Sequence, residues 1–231
     1  MSGLTVTERL LEKALLELRE ASGAEDLEWR RGDLHVEHED IEAEVAALSE
    51  AAGTVLDPRF REGLCRFDEI SACWSLDSPR ELGGEFSVVN LHQALAEKAH
   101  DHPLEETLTP DERQRWSELR PFDGHPVTGT GEWVALRVRP DEPMPELWYY
   151  HPEIAPYKGL RMDIDYCGYL RNLAITKGVY GWQKLFCDIT PLDEDDREYF
   201  RADMAEMLEL FPVLFPDHDY EPLRRRLAER S

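Results

Sequence analysis

The chain has 231 residues, with 26 Lys and Arg against 49 Asp and Glu, a formal net charge of −23. That balance argues against a nucleic-acid binder and against a protein held on an anionic membrane, because both surfaces reward a basic stripe and repel an excess of carboxylates. At 42% hydrophobic and 10% aromatic, the chain is too apolar for an acidic disordered tail and long enough for one large domain or two small ones.

The acid excess runs the whole length: 14 acids to 5 bases over residues 1–50, and still 7 to 5 from Arg201 onward. On a folded surface of about 10,800 Å², a partner-sized patch of about 800 Å² would carry a net charge of only about two. Mean acidity therefore steers and solubilises, and recognition requires carboxylates to cluster in space. The four cysteines, Cys65, Cys73, Cys167 and Cys187, form no CxxC pair and sit in apolar surroundings, which reads as buried free thiols in a reducing compartment. The start of the chain lacks a basic region followed by an apolar one, and no stretch reaches the roughly 18 apolar residues that span a bilayer. The expected location is cytoplasmic.

Thr5-Val6-Thr7-Glu8 has capping-box spacing, and Leu10, Leu11, Ala14, Leu15 and Leu18 follow with helical period up to Gly23. Leu27-Glu28-Trp29 and Leu34-His35-Val36 flank Arg30-Arg31-Gly32-Asp33 as a short hairpin would. A second helix is expected from Asp40 to Gly53, and a third after Asp57-Pro58, with Phe60, Leu64 and Phe67 on one side. In the middle third the period changes. Ile70 to Leu76, Glu85 to Val89, Trp133 to Val138 and Leu147 to Tyr150 read as strands, with turn signals at Gly83-Gly84, Gly129-Thr130-Gly131 and Pro140 to Pro145. Loops too short for crossovers make the sheet antiparallel. The longer connection after Val89 holds a helix from Leu91 to His100 and another beginning at Thr109-Pro110. Helices return at Met162 to Lys177, Trp182 to Phe186, after Thr190-Pro191-Leu192-Asp193, where Pro212 and Pro216 break the stripe, and around Leu223 to Leu227. The expected fold class is α+β: an antiparallel sheet of four or more strands with helices packed on it and helical N- and C-terminal extensions.

Catalytic signatures are missing from the sequence: there is no dinucleotide fingerprint, Walker A motif, G-x-S-x-G elbow or H-E-x-x-H helix. Three groups resemble metal sites. His100-Asp101-His102 with His92 would serve a metal-dependent hydrolase or transferase, but the triplet falls at a helix end, where histidine meets terminal carbonyls. His35 and His38 among Glu37, Glu39 and Asp40 read as a solvated turn, and Asp163-Ile164-Asp165 as acids that complement a helix N-terminus. No metal and no cofactor is expected. The aromatic segments have two readings. The rings of Trp148, Tyr150, Tyr180 and Trp182 either lid the sheet or anchor a protein partner, with Glu85, Asp163 and Asp165 as acidic companions, and strand alternation leaves open which rings face outward.

The order of features resembles the SUKH superfamily, the Smi/Knr type. The resemblance lies in the helix Ile41 to Ala52 followed by Gly53-Thr54-Val55-Leu56-Asp57-Pro58-Arg59-Phe60, in the strand Gly84 to Val89, in the loop Pro121-Phe122-Asp123 before a strand, and in the strand Leu147 to Tyr150. It continues through Asp163, Tyr166, Tyr169-Leu170, Lys177 to Phe186 and Leu214-Phe215-Pro216-Asp217. Leu56-Asp57-Pro58 departs from a clean Leu-Pro, and the Gly-rich loop after the third helix is absent. Residues 1–32 would be an N-terminal helix and the start of a hairpin, and 33–231 the SUKH-like α+β domain. The resemblance implies a binding role without enzymatic activity, as in bacterial immunity proteins that neutralise toxins, many of them nucleases, or in fungal interaction hubs. The expected partner is a basic toxin domain, with a scaffold that has no toxin partner as the alternative.

Overall fold

The structure, a computed structural model, describes residues 3–21, 23–34, 40–97, 99, 105–140, 142–152 and 159–230. In chain order its elements are α1 (Val6–Glu20), β1 (Ala24–Arg31), α2 (Ile41–Ala52), α3 (Phe60–Gly63), β2 (Glu69–Leu76), β3 (Gly83–Val89), α4 (Leu91–Ala96) and α5 (Pro110–Ser117). There follow β4 (Leu119–Gly124), β5 (Trp133–Arg137), β6 (Glu146–Tyr150), β7 (Leu160–Arg161), α6 (Tyr166–Thr176), α7 (Glu194–Leu214) and α8 (Glu221–Glu229), with 3₁₀ turns at Glu105–Thr107 and Trp182–Phe186. This is an α+β fold. The strands form two antiparallel meanders, β1-β2-β3 and β4-β5-β6-β7, each pairing strands in sequence order.

The two meanders meet at β3 and β4 through a side chain. β4 bulges between Pro121 and Asp123, and the Asp123 carboxylate accepts the backbone N–H of Ser87 on β3 and of Gly124, each at 2.8 Å. Strand alternation then sorts β5 and β6 into two faces. Val134, Leu136, Leu147 and Tyr149 join α1, α6 and α7 in one core, while Ala135, Trp148 and Tyr150 lie on the opposite face with Leu119. The α1 stripe Leu11, Ala14, Leu15 and Leu18 is buried in that same core. Fully burying each leucine contributes about 1.5–3 kcal/mol, which explains why the helical period was so legible.

Local chemistry sets most helix starts. Thr5 and Glu8 close the expected capping box, the expected start at Thr109-Pro110 proves to be a second box with Glu112, and Asp40, Asp165 and Asp193 cap α2, α6 and α7. Several boundaries differ from expectation. The segment expected as a hairpin is not one: β1 runs through Arg30 and Arg31 and pairs with β2, while Leu34 bridges Phe67, and His35 and Val36 lie outside the described residues. The third helix is a single turn, although Phe60, Leu64 and Phe67 are all buried. Gly83-Gly84 belongs to β3, and Pro121-Phe122-Asp123 is strand β4. Helix α6 starts only after Asp165, and Pro212 lies inside α7, near its end. Among the described residues no helix is long and apolar enough to cross a membrane. All four cysteines are free; Cys65, Cys167 and Cys187 are buried, and burial pushes the Cys65 thiol up to about 12 and Cys167 up to about 11.

Candidate functional site

The rings expected as partner anchors are mostly enclosed. Trp148 is 9% exposed, with the Arg115 guanidinium 4.6 Å above its ring and its Nε1 donating to Glu146 at 3.2 Å. Tyr150 stacks on Trp133 at 4.2 Å and meets Trp116 edge-on at 5.2 Å, so both rings pack beneath α5. Trp182 is 0% exposed and fills the core against Tyr169 and Phe186. The reason is alternation: β6 turns Trp148 and Tyr150 to the face that α5 covers, and the turn after α6 folds Trp182 inward. Tyr180 is half-buried, with its ring edge-on to His125 at 5.5 Å.

The acidic companions are also tied into the fold. Glu85 is buried on β3, and its carboxylate accepts Val127 N–H at 2.6 Å, Thr128 N–H at 3.0 Å and the Thr128 hydroxyl at 2.5 Å, which pins the loop between β4 and β5. Glu85→Ala is expected to speed hydrogen exchange at the Val127 and Thr128 amides at least tenfold without unfolding the sheets, because each loses a charge-assisted bond. Unchanged protection there would contradict this role. Asp165 caps α6 through Gly168 N–H at 2.7 Å, with Arg59 at 3.5 Å. Asp163, half-exposed, pairs with Arg226 and Arg230 and holds α8 against the body. The seven residues therefore do not assemble into one exposed patch.

A buried polar network that the sequence did not reveal lies behind that loop. Tyr169 Oη donates to Asp123 at 2.5 Å, Tyr149 Oη donates to Glu132 at 2.6 Å, and His151 Nε2 is 3.3 Å from Glu132. Burial raises the Asp123 carboxyl above its ordinary range despite these bonds. Burial pushes Glu132 the same way, but His151, His125 and Tyr149 together outweigh it and hold that carboxyl below its usual value. With Asp123, His125 and Glu132 all buried and each carboxylate already hydrogen-bonded by a tyrosine, the arrangement supports the loop from Gly124 to Glu132.

A second buried group joins α1 to the chain beyond α7. Lys177, in a left-handed conformation after α6, is 0% exposed. Its Nζ lies 2.7 Å from Glu17, 3.3 Å from His218 Nε2 and 4.9 Å from the Phe215 ring centroid, and it donates to Ala174 O at 2.6 Å. Burial pulls Lys177 from its ordinary 10.5 down to about 8, against the opposing pull of Glu17. Between those values the unfolded chain holds the extra proton, so this residue's contribution to stability rises with pH there, while below about 8 its buried charge is a constant cost. The difference in unfolding free energy between wild type and Lys177→Met is therefore expected to shift towards wild type by up to about 3 kcal/mol between pH 8 and 10.5. Comparing the two proteins cancels the buried thiols, which titrate with the opposite sign. A flat difference across that range would contradict the assignment.

Among the described residues no group of three or more His, Cys, Asp or Glu is arranged to hold a metal ion. His92 Nε2 instead meets the buried Glu44 of α2 at 2.7 Å. His35, Glu37, His38, Glu39, His100, Asp101 and His102 lie outside the described residues.

The acids that do gather at the surface are on α7. Its outward positions Asp195, Glu198, Tyr199, Ala205, Glu209 and Val213 recur at helical spacing. Tyr199 is 66% and Val213 79% exposed. Glu194 pairs with Arg197 and Arg201, and Asp203 with Arg80, but among the described residues Asp195, Glu198 and Glu209 form no ion pair. Periodicity made the buried stripe of this helix readable. Its outer face could have been found from the same wheel, as the acids and the lone Tyr199 left over from the core. Comparison with family models, with curated proteins and with solved structures returned no match.

Proposed function

We propose that this chain is a non-catalytic, cytoplasmic binding protein of the bacterial immunity type, which neutralises a basic toxin domain by occupying its active-site cleft. The observation that carries this reading is the outer face of α7, where Asp195, Glu198 and Glu209, in no ion pair among the described residues, share one surface with exposed Tyr199 and Val213. Clustered carboxylates around an aromatic ring suit a cleft built for phosphate, because they match its charge and accelerate encounter. The resemblance of the motif order to the SUKH superfamily supports the same reading, as does a sequence without recognisable catalytic signatures. The test is co-expression with the toxin encoded beside the gene. Rescue of growth and a complex whose association rate falls at least tenfold between 50 and 300 mM salt are expected. Failure to bind that toxin would end the immunity reading.

A further inference from the structure

Three surface depressions run end to end along α7. The first is lined by Arg80, Asp195, Glu198, Tyr199 and Ala202. The second shares Arg80 and Ala202 with it and adds Ala205, Glu206 and Glu209. The third, about 520 Å³, shares Ala205 and Glu209 and reaches Arg224 and Leu227 of α8. Together they make a groove between the β2–β3 turn and α8. From Asp195 to Pro212 it runs about 26 Å at the α-helical rise, the length of a helix of about 18 residues. Ala202 and Ala205 along it let another backbone approach closely, and Tyr199 and Leu227 offer apolar contacts towards its two ends.

Glu206 lies midway along the groove and is 8% exposed. Its Oε1 is 3.4 Å from the backbone N of Arg80, and its Oε2 is buried with no hydrogen-bond partner among the described residues. The Arg80 guanidinium is committed to Asp203 at 2.7 Å, and Arg224 donates to Leu208 O at 2.9 Å. A buried carboxylate oxygen without a donor is costly, and a turn of the Glu206 carboxylate towards the groove to meet a partner's donor would remove that cost. Among the described residues the groove is thus lined by the carboxylates of Asp195, Glu198, Glu206 and Glu209 against two arginines, Arg80 and Arg224, both already engaged.

We propose that the α7 groove seats a basic amphipathic helix of the partner protein, with an arginine or lysine of that helix donating to Glu206 Oε2. The proposal deepens, and rests on, the reading of the chain as a binder of a basic protein. The probe is a fluorescein-labelled 18-residue helical peptide of Leu and Ala on one face and Arg on the other, with a counterpart in which every Arg is Gln. Anisotropy at 50 mM salt is expected to show saturable binding of the Arg peptide alone, with hydrogen-exchange protection confined to α7, α8 and the β2–β3 turn. Ala205→Trp, which fills the groove from an exposed position, and Glu206→Gln should each weaken binding at least tenfold, while Glu50→Lys on α2 changes it less than twofold. Circular dichroism confirms that each variant is folded. Equal binding by the Ala205→Trp and Glu206→Gln proteins, protection elsewhere on the surface, or no binding of the Arg peptide would overturn the groove. If the neighbouring toxin is bound by wild type and equally by Ala205→Trp, the groove falls while the inhibitor reading stands. If the Arg peptide binds as expected but the toxin does not, the groove stands and the toxin assignment falls.

Discussion

Replacing Glu8 by glutamine is expected to lower the unfolding free energy by about 3–5 kcal/mol, measured as a fall in urea midpoint at constant slope. Glu8 is 0% and Arg66 3% exposed on their side chains, so neither charge can turn to water. The carboxylate is saturated with donors. Oε1 accepts Arg66 N and Nε, each at 2.8 Å, and Oε2 accepts Arg66 Nη2 and Thr5 N, each at 2.7 Å. Arg66 Nη2 also donates to Gly3 O at 2.9 Å, so the pair ties the start of α1 to the strand entry at residue 66. Glutamine keeps the volume but removes the charge and points an amide N–H₂ at a guanidinium, leaving a buried cation short of its counter-charge. The double variant Glu8→Met/Arg66→Met should recover much of the loss, because two well-packed apolar chains remove the uncompensated charge altogether. A loss under about 1 kcal/mol for Glu8→Gln would show that the pair is dispensable.

Gly84→Ala is expected to cost about 3 kcal/mol, which for a chain of this size lowers the thermal midpoint by about 6–12 °C. A β-carbon at Gly84 would stand 2.6 Å from Gly178 O and 2.7 Å from the Trp74 ring. Neither obstacle can yield cheaply. Gly178 O accepts Glu85 N–H at 3.0 Å, and Trp74 is buried with its Nε1 donating to Lys177 O at 2.8 Å. The matched comparison is Gly53→Ala at the C-cap of α2. There φ is +67° and a β-carbon would meet nothing within 4 Å, so only the left-handed backbone is penalised, by about 1 kcal/mol. Equal losses at the two positions would refute the close-approach account of Gly84.

Those two glycines also show what the sequence could and could not say. Gly53 follows an apolar stripe and stops a helix, a local rule that reads directly. Gly83 and Gly84 carry the same letter, yet they serve an approach between segments almost a hundred residues apart, and no local pattern distinguishes that from a turn. The same divide runs through the rest of the molecule. The capping box at Thr5, the helix start at Thr109-Pro110 and the stripes of α1, α6 and α7 were legible because each is set within a turn or two. The pairing of β1 with β2 was not, because α2 and α3 lie between them and Arg30-Arg31 looked like a solvated turn. For the site, counting carboxylates misassigned Glu85, which is spent on loop amides, and counting rings misassigned Trp148, Tyr150 and Trp182, which are spent on packing. Exposure depends on which face a neighbouring element covers, and that is settled only when the helices dock.

The junction at β3 and β4 bears on how the chain assembles. Each meander pairs strands that follow one another along the chain, so most of its closures span short loops. The Asp123–Ser87 contact that joins the meanders is braced from much later in the sequence: Tyr169 reaches Asp123 on one, and the turn after α6 lays Val179 against Gly84 on the other. Every strand has left the ribosome before Tyr166 does. A nascent chain halted there would own all seven described strands and the Asp123–Ser87 contact but lack the helix and turn that brace it. Its Asp123 carboxylate would be without the tyrosine that shares its burial. Synthesis order therefore leaves the bracing of this junction by α6 and its following turn until last.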